Sequence, residues 1–169
     1  VETLIGPLRG KKTHSILGYV HKPYPPIYAA LCEKVGFNSS LLIRGVEGGV
    51  VPSLRQKGLM ISYHRGVEKA QVDIDPKLLG INSELRAIAF PKRFENGKER
   101  IMLAEHTVNL GHSALSGESG MFYDGLVYSA SLILWHLKQS KTLPEAAERV
   151  REVLNSGRAL NRLVTKKNL

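Results

Sequence analysis

The residues best placed for chemistry lie between Arg44 and Ser53, where Gly45-Val46-Glu47-Gly48-Gly49-Val50-Val51 follows a short apolar run. Loops at the carboxyl ends of strands in α/β sheets are where ligands usually sit. Arg44 ends the run before this loop, and Arg55 and Lys57 follow it. Glu47 is its single carboxylate, and one carboxylate in a glycine-rich loop is more often solvated than metal-bound. A second basic group, Arg9, Lys11 and Lys12, shares a turn-rich opening segment punctuated by Gly6-Pro7 and Gly10. With 24 Lys and Arg against 15 Asp and Glu, the formal charge is +9, which attracts phosphate-bearing partners such as nucleic acid, nucleotides or phosphoribosyl groups. A diffuse, solubilising charge accounts for the same numbers about equally well.

Other chemistries find less support. Gly117-Glu118-Ser119-Gly120 misses the Gly-x-Ser-x-Gly nucleophile elbow by one residue, so its glycines read as a tight helix start. His106 and His112, six residues apart, point to different faces of a helix, unlike zinc ligands four apart. His136, on the edge of an apolar helix, reads as partly buried and hydrogen-bonded. No Walker or dinucleotide glycine motif occurs. The single cysteine, Cys32, excludes an internal disulfide framework, fits a reducing compartment and reads as a small buried helix residue.

These groups must be positioned by a chain whose 169 residues suit one domain. His14 to Val20 is apolar enough for a strand. Pro23, Pro25 and Pro26 open a helix that Gly36 ends, with Ile27, Ala30, Leu31, Lys34 and Val35 as its expected core face. Ser40 to Arg44 is a second short strand, and strand, helix, strand at this spacing predicts a parallel pair with a crossover helix. Leu59 to His64 and Ala70 to Ile74 pair as antiparallel strands around Arg65-Gly66. Residues 75–97 are ambiguous, with one apolar run at Ala87 to Phe90, and a helical pattern resumes over residues 99–115.

From Met121 to Leu137 the chain is apolar almost all round, with Phe122, Leu126, Ala130, Ile133 and Leu137 on one expected face. Tyr123, Asp124, Ser129 and Ser131 interrupt it, which favours a core helix over a membrane span. Thr142-Leu143-Pro144-Glu145 forms a capping box for a helix with Leu143, Ala147, Val150 and Leu154 inward. Ser156-Gly157 stops that helix, and a short one begins near Ala159. The expected fold class is α/β, a mixed sheet flanked by helices, with no membrane contact and a cytoplasmic location.

Three segments carry a family resemblance, and they occur in family order. They are Leu4-Ile5-Gly6-Pro7-Leu8; Leu115-Ser116-Gly117-Glu118-Ser119-Gly120 with Asp124 and Ala130; and Ser156-Gly157-Arg158-Ala159-Leu160 with Leu163. Together they resemble the C-terminal portion of anthranilate phosphoribosyltransferase-like proteins, glycosyltransferase family 3. The resemblance implies the catalytic-domain fold of nucleoside phosphorylases and phosphoribosyltransferases, and phosphoribosyl transfer to an aromatic amine of the tryptophan-biosynthesis type. It makes residues 1–169 the C-terminal part of that domain, with the N-terminal helical domain and glycine-rich phosphate loop as its missing partner half. A homodimer fits as well. Thr3, Gly6 and Pro7 fall on the family's substrate-contacting loop, although Glu2-Thr3 and Gly10-Lys11 depart from its pattern.

In the resembled enzymes an acidic pair binds the Mg²⁺ that accompanies phosphoribosyl pyrophosphate. The matching positions here are Val50 and Val51, which cannot ligate a metal. The expectation is therefore that this chain holds no cofactor and is inactive alone, Mg²⁺ entering only if a full-length form keeps the activity. The alternative is a non-catalytic paralogue that holds single-stranded nucleic acid in a basic groove of Arg9, Lys11, Lys12, Arg44, Arg55 and Lys57.

Overall fold

The computed structural model describes Leu4, Gly6, residues 10–87 and residues 99–165. Among them four strands form one sheet in the order β1-β2-β3-β4: β1 (His14–Gly18), β2 (Ser39–Ile43), β3 (Gly58–His64) and β4 (Val67–Ile74). The predicted parallel unit is present, with α1 (Tyr24–Lys34) crossing between β1 and β2. β3 runs antiparallel to β2, and β4 antiparallel to β3 through the expected turn at Arg65-Gly66. Four further helices follow the sheet: α2 (Glu99–Leu115), α3 (Met121–His136), α4 (Leu143–Asn155) and α5 (Arg158–Thr165). The sheet is thus mixed and flanked by helices, an α/β fold. The apolar run at Ala87 to Phe90 lies mostly outside the described residues. None of the described helices is long and apolar enough to cross a membrane.

β2 explains the layering. All five of its residues are buried, and a strand covered on both faces needs an apolar run rather than alternation. Leu41 and Ile43 face a core shared with Met60, Ile74, Val127, Leu132, Val150 and Leu154, which belongs to the α3 and α4 side. Leu42 faces the opposite core with Leu17, Ile61, Ala29 and Cys32, under α1. Leu41, Leu42 and Ile43 are each fully buried, worth about 1.5–3 kcal/mol apiece. Cys32 is indeed a buried helix residue at 2% exposure, and burial raises its thiol pKa against hydrogen bonds from Ser15 and Ser40.

Two helices meet the core by faces other than the expected ones. α1 buries Pro25, Ala29 and Cys32, leaving Ile27 52%, Leu31 39% and Val35 38% exposed. Both stripes are apolar, and the slimmer one lies against the sheet. In α3 the buried residues include Tyr123, Val127, Tyr128, Ser131, Leu132 and His136, whereas Leu126 is 37% exposed and Phe122, Ala130 and Ile133 are half-buried. Several polar groups on that inner face are satisfied inside: Tyr123 Oη donates to Asn155 Oδ1 at 2.9 Å, and Ser131 Oγ donates to the Val127 carbonyl.

The α4 start is as expected. Thr142 Oγ1 accepts from Glu145 N–H at 3.2 Å, and Glu145 Oε2 accepts from Lys141 N–H at 2.8 Å. The glycine turn before α3 has a packing role. Gly117 has φ of +93°, and a Cβ there would come within 2.9 Å of Asn155 Cα at the end of α4. Gly117→Ala is therefore expected to destabilise the fold by at least about 1–2 kcal/mol from the left-handed backbone, before any clash is counted. Urea unfolding monitored by circular dichroism measures this, and an unchanged midpoint would contradict the packing role.

Candidate functional site

The loop singled out in the sequence does cap the carboxyl ends of β1 and β2, as a tight coil. A Cβ at Gly18 would overlap the backbone of Gly48 and Gly49, and one at Gly45 that of Gly49, so these two glycines let the loop fold directly onto the strand ends. The coil is closed by hydrogen bonds from Val46 N–H to the Val51 carbonyl (3.0 Å) and from Gly49 N–H to the Val46 carbonyl (2.9 Å). Beside it lies a crevice of about 420 Å³ lined by Arg44, Glu47, Ser53, Lys57 and Arg86 among others. Buried Ser53 holds its far wall, accepting at Oγ from Gln56 N–H at 3.0 Å and Arg55 N–H at 3.3 Å. Leu54 N–H donates to the Arg86 carbonyl at 3.1 Å, which ties Arg86 to this wall.

The crevice suits phosphate better than a cation. Its cations are Arg44, Lys57 and Arg86; its carboxylate is Glu47, in the left-handed region at φ 51°. Lys57 is shared with Asp75 at 3.4 Å, yet its side chain remains 78% exposed. Mg²⁺ prefers several oxygens in octahedral array, and this donor set does not fit it. Val50 is exposed and Val51 half-buried in the same coil. Among the described residues no three His, Cys, Asp or Glu side chains converge as metal ligands would.

Of the six basic residues singled out in the sequence, the five that the structure describes are not brought into one groove. Arg44 and Lys57 line the crevice, and Arg55 is exposed on the loop between them. Lys11 and Lys12 precede β1 and so lie toward the opposite end of the parallel strands, where Lys12 lines a different cleft. Arg9, Thr3 and Pro7 lie outside the described residues. Gly6, at φ 53°, is half-buried near Leu4, which packs under α1. Arg86 had no motif to announce it. His106 and His112 sit on α2, half-buried and exposed respectively, with no joint site. Asp124 is half-buried in the first turn of α3, where burial raises its carboxyl pKa and Arg151 opposes the rise.

At the other end of the sheet, strand register builds a polar row. His14 opposes Ser39, and Ser39 opposes His64, on three adjacent strands. His136, at the end of α3, drops onto this row. Its Nε2 lies 2.7 Å from Ser39 Oγ and its Nδ1 2.9 Å from Ser62 Oγ, while Ser39 Oγ is also 2.6 Å from His14 Nδ1. With neutral rings the bonds can all run one way: Ser62 O–H to His136 Nδ1, His136 Nε2–H to Ser39, Ser39 O–H to His14. They can equally run all in reverse. The sequence pattern predicts a partly buried, hydrogen-bonded His136; at 2% exposure it is fully buried.

Protonating His136 makes both of its nitrogens donors, so the serine that donated to it must accept instead and turn its hydroxyl hydrogen elsewhere. Burial, then the nearby His64 and His14, push the His136 pKa down to about 4. Between there and the unfolded value near 6.5, the unfolded chain binds a proton that the folded chain refuses. Stability is therefore expected to fall as pH drops through that window, by about 3 kcal/mol in total from this group. Urea unfolding at stepped pH tests this; His136→Gln should flatten the slope, and an equal slope in both proteins would remove His136 as its source.

No family model matches the chain. It is 26% identical over 151 residues to an uncharacterised protein of Aquifex aeolicus (strain VF5), spanning 89% of this chain and 43% of that protein. Among solved structures it resembles anthranilate phosphoribosyltransferase from Thermus thermophilus, with TM-score 0.56 and 19% identity over 85% of this chain and 39% of that one. The Saccharomyces cerevisiae anthranilate phosphoribosyltransferase in complex with PRPP and Mg gives TM-score 0.65 and 17% identity over 88% and 40%. These likenesses define a class: the chain has the fold of the anthranilate phosphoribosyltransferases. It spans about two fifths of the length of the proteins it matches.

Proposed function

We propose that this chain is part of a longer protein related to anthranilate phosphoribosyltransferase, and that its strand-end crevice holds the phosphate backbone of single-stranded nucleic acid without Mg²⁺-dependent phosphoribosyl transfer. The observation that carries this reading is the crevice itself: Arg44, Lys57 and Arg86 beside a coil whose own carboxylate is Glu47. Replacing oxygen ligands by valines while keeping cations suits a phosphodiester, which needs positive charge and no metal. The net charge of +9 adds long-range attraction that is indifferent to base sequence.

Three phosphate contacts on a single strand correspond to a salt slope of about −2, or roughly 15-fold weaker binding between about 50 and 200 mM salt. Arg44→Gln with Arg86→Gln is expected to weaken binding and flatten that slope by about 0.7 per cation removed. Fluorescence anisotropy with a labelled oligothymidylate measures both quantities. Affinity that is flat with salt, or untouched by the double variant, would overturn the assignment.

A second reading, catalysis, is favoured by the structural likeness to an enzyme solved with PRPP and Mg. It predicts turnover of anthranilate with phosphoribosyl pyrophosphate and Mg²⁺ by this chain; the proposal predicts none. A coupled pyrophosphate-release assay decides between them.

A further inference from the structure

The histidine row opens onto a cleft of about 650 Å³ that the strand-end crevice does not reach. Lys12, His14, His64, Arg65, Lys69 and Lys138 line it, contributed from before β1, from β1, β3 and β4, and from the turn after α3. An adjoining cavity shares His64, Lys69, His136 and Lys138, and adds Lys141. Neither is lined by a described carboxylate. Acids on neighbouring elements are engaged elsewhere: Glu33 lies against Gly66, Glu68 accepts from Tyr63 Oη at 3.3 Å, and Glu145 accepts from Lys141 N–H at 2.8 Å at the start of α4. Converging cations without acids repel one another. His64 records this, its pKa lowered by burial first and then by Lys138, His14 and Lys69.

Two backbone irregularities place cations here. Ser62 opposes Ala70 but Tyr63 opposes Glu68, so Lys69 is the extra residue of a β-bulge, a device that re-aims a side chain. Lys138 has φ of 57° just beyond α3, where Gln139 N–H donates to the Leu134 carbonyl at 2.8 Å. Helices usually end in this conformation on glycine, which avoids the Cβ penalty that lysine accepts. His14 is exposed and held through Nδ1 by Ser39, leaving Nε2 as the nitrogen for a ligand.

We propose that this cleft binds a compact polyphosphate anion, at a site separate from the strand-end crevice, with proton uptake by His64 on binding. Four fixed cations and two imidazoles in this volume match several phosphate charges gathered on one small molecule. The buried His136 stays neutral and holds the row. The proposal stands independently of the nucleic-acid reading, because it uses different residues at the opposite end of β2.

The test is isothermal titration calorimetry of the full chain with inorganic tripolyphosphate. Binding is expected to be at least about threefold tighter at about pH 6 than at about pH 8. Lys69→Gln with Lys138→Gln, both exposed, should weaken it by about tenfold or more. His64→Asn should flatten the pH dependence, and Arg44→Gln with Arg86→Gln should leave affinity within about twofold. No measurable binding, equal affinity in the Lys69/Lys138 variant, or loss only in the Arg44/Arg86 variant would each overturn the site. An oligothymidylate arm separates the sources of phosphate. If the Lys69/Lys138 variant loses the oligonucleotide while the parent ignores tripolyphosphate, the cleft belongs to nucleic acid and the proposal fails.

Discussion

Burial of β2 on both faces is the constraint on which the rest depends. Its side chains alternate between two cores, so a one-residue slip would exchange Leu42 for Leu41 and Ile43 and put each helix layer against the wrong surface. Register is thereby set, and register decides the chemistry at both ends. One end presents Arg44 beside the glycine coil. The other aligns His14, Ser39 and His64 across three strands.

The two ends solve different problems. At the carboxyl end, Gly18 and Gly45 allow loop backbone to lie against strand ends, and charge comes from residues far apart in sequence, Arg44, Lys57 and Arg86. At the amino end, a buried imidazole is kept neutral by its burial and by the neighbouring His64 and His14, and its polar demands are met by hydrogen bonds to two serines rather than by an ion partner. Cations around that row remain at the surface, where water moderates their repulsion. The contrast explains why one fold can present two separate cationic surfaces without one large basic face.

Much of the architecture was legible in residue order. The proline-rich start of α1, the hairpin at Arg65-Gly66 and the Thr142 to Glu145 cap are local devices, and local devices act within a few residues of themselves. The inward face of α4 was legible in Ala147, Val150 and Leu154, but those of α1 and α3 were not. α1 and α3 each carry apolar residues on more than one side, and periodicity ranks faces by hydrophobicity alone. Shape broke the tie in α1, where Ala29 and Cys32 lie against the sheet while Ile27 and Leu31 face out. In α3 hydrogen-bonding partners on other elements accepted Tyr123 and His136 into the interior.

The sequence by itself determined most of the elements, the parallel crossover and the glycine coil after β2, with Val50 and Val51 in it. Each of these is a property of a short segment. Only the tertiary structure decided that Lys12 and Arg44 belong to opposite ends of the sheet, that Arg86 joins the crevice, and that His14, Ser39, Ser62 and His136 form one hydrogen-bonded row. Those facts rest on strand register and helix docking, which bring residues as far apart as 14 and 136 into reach. Spacing along the chain carries no record of such distances.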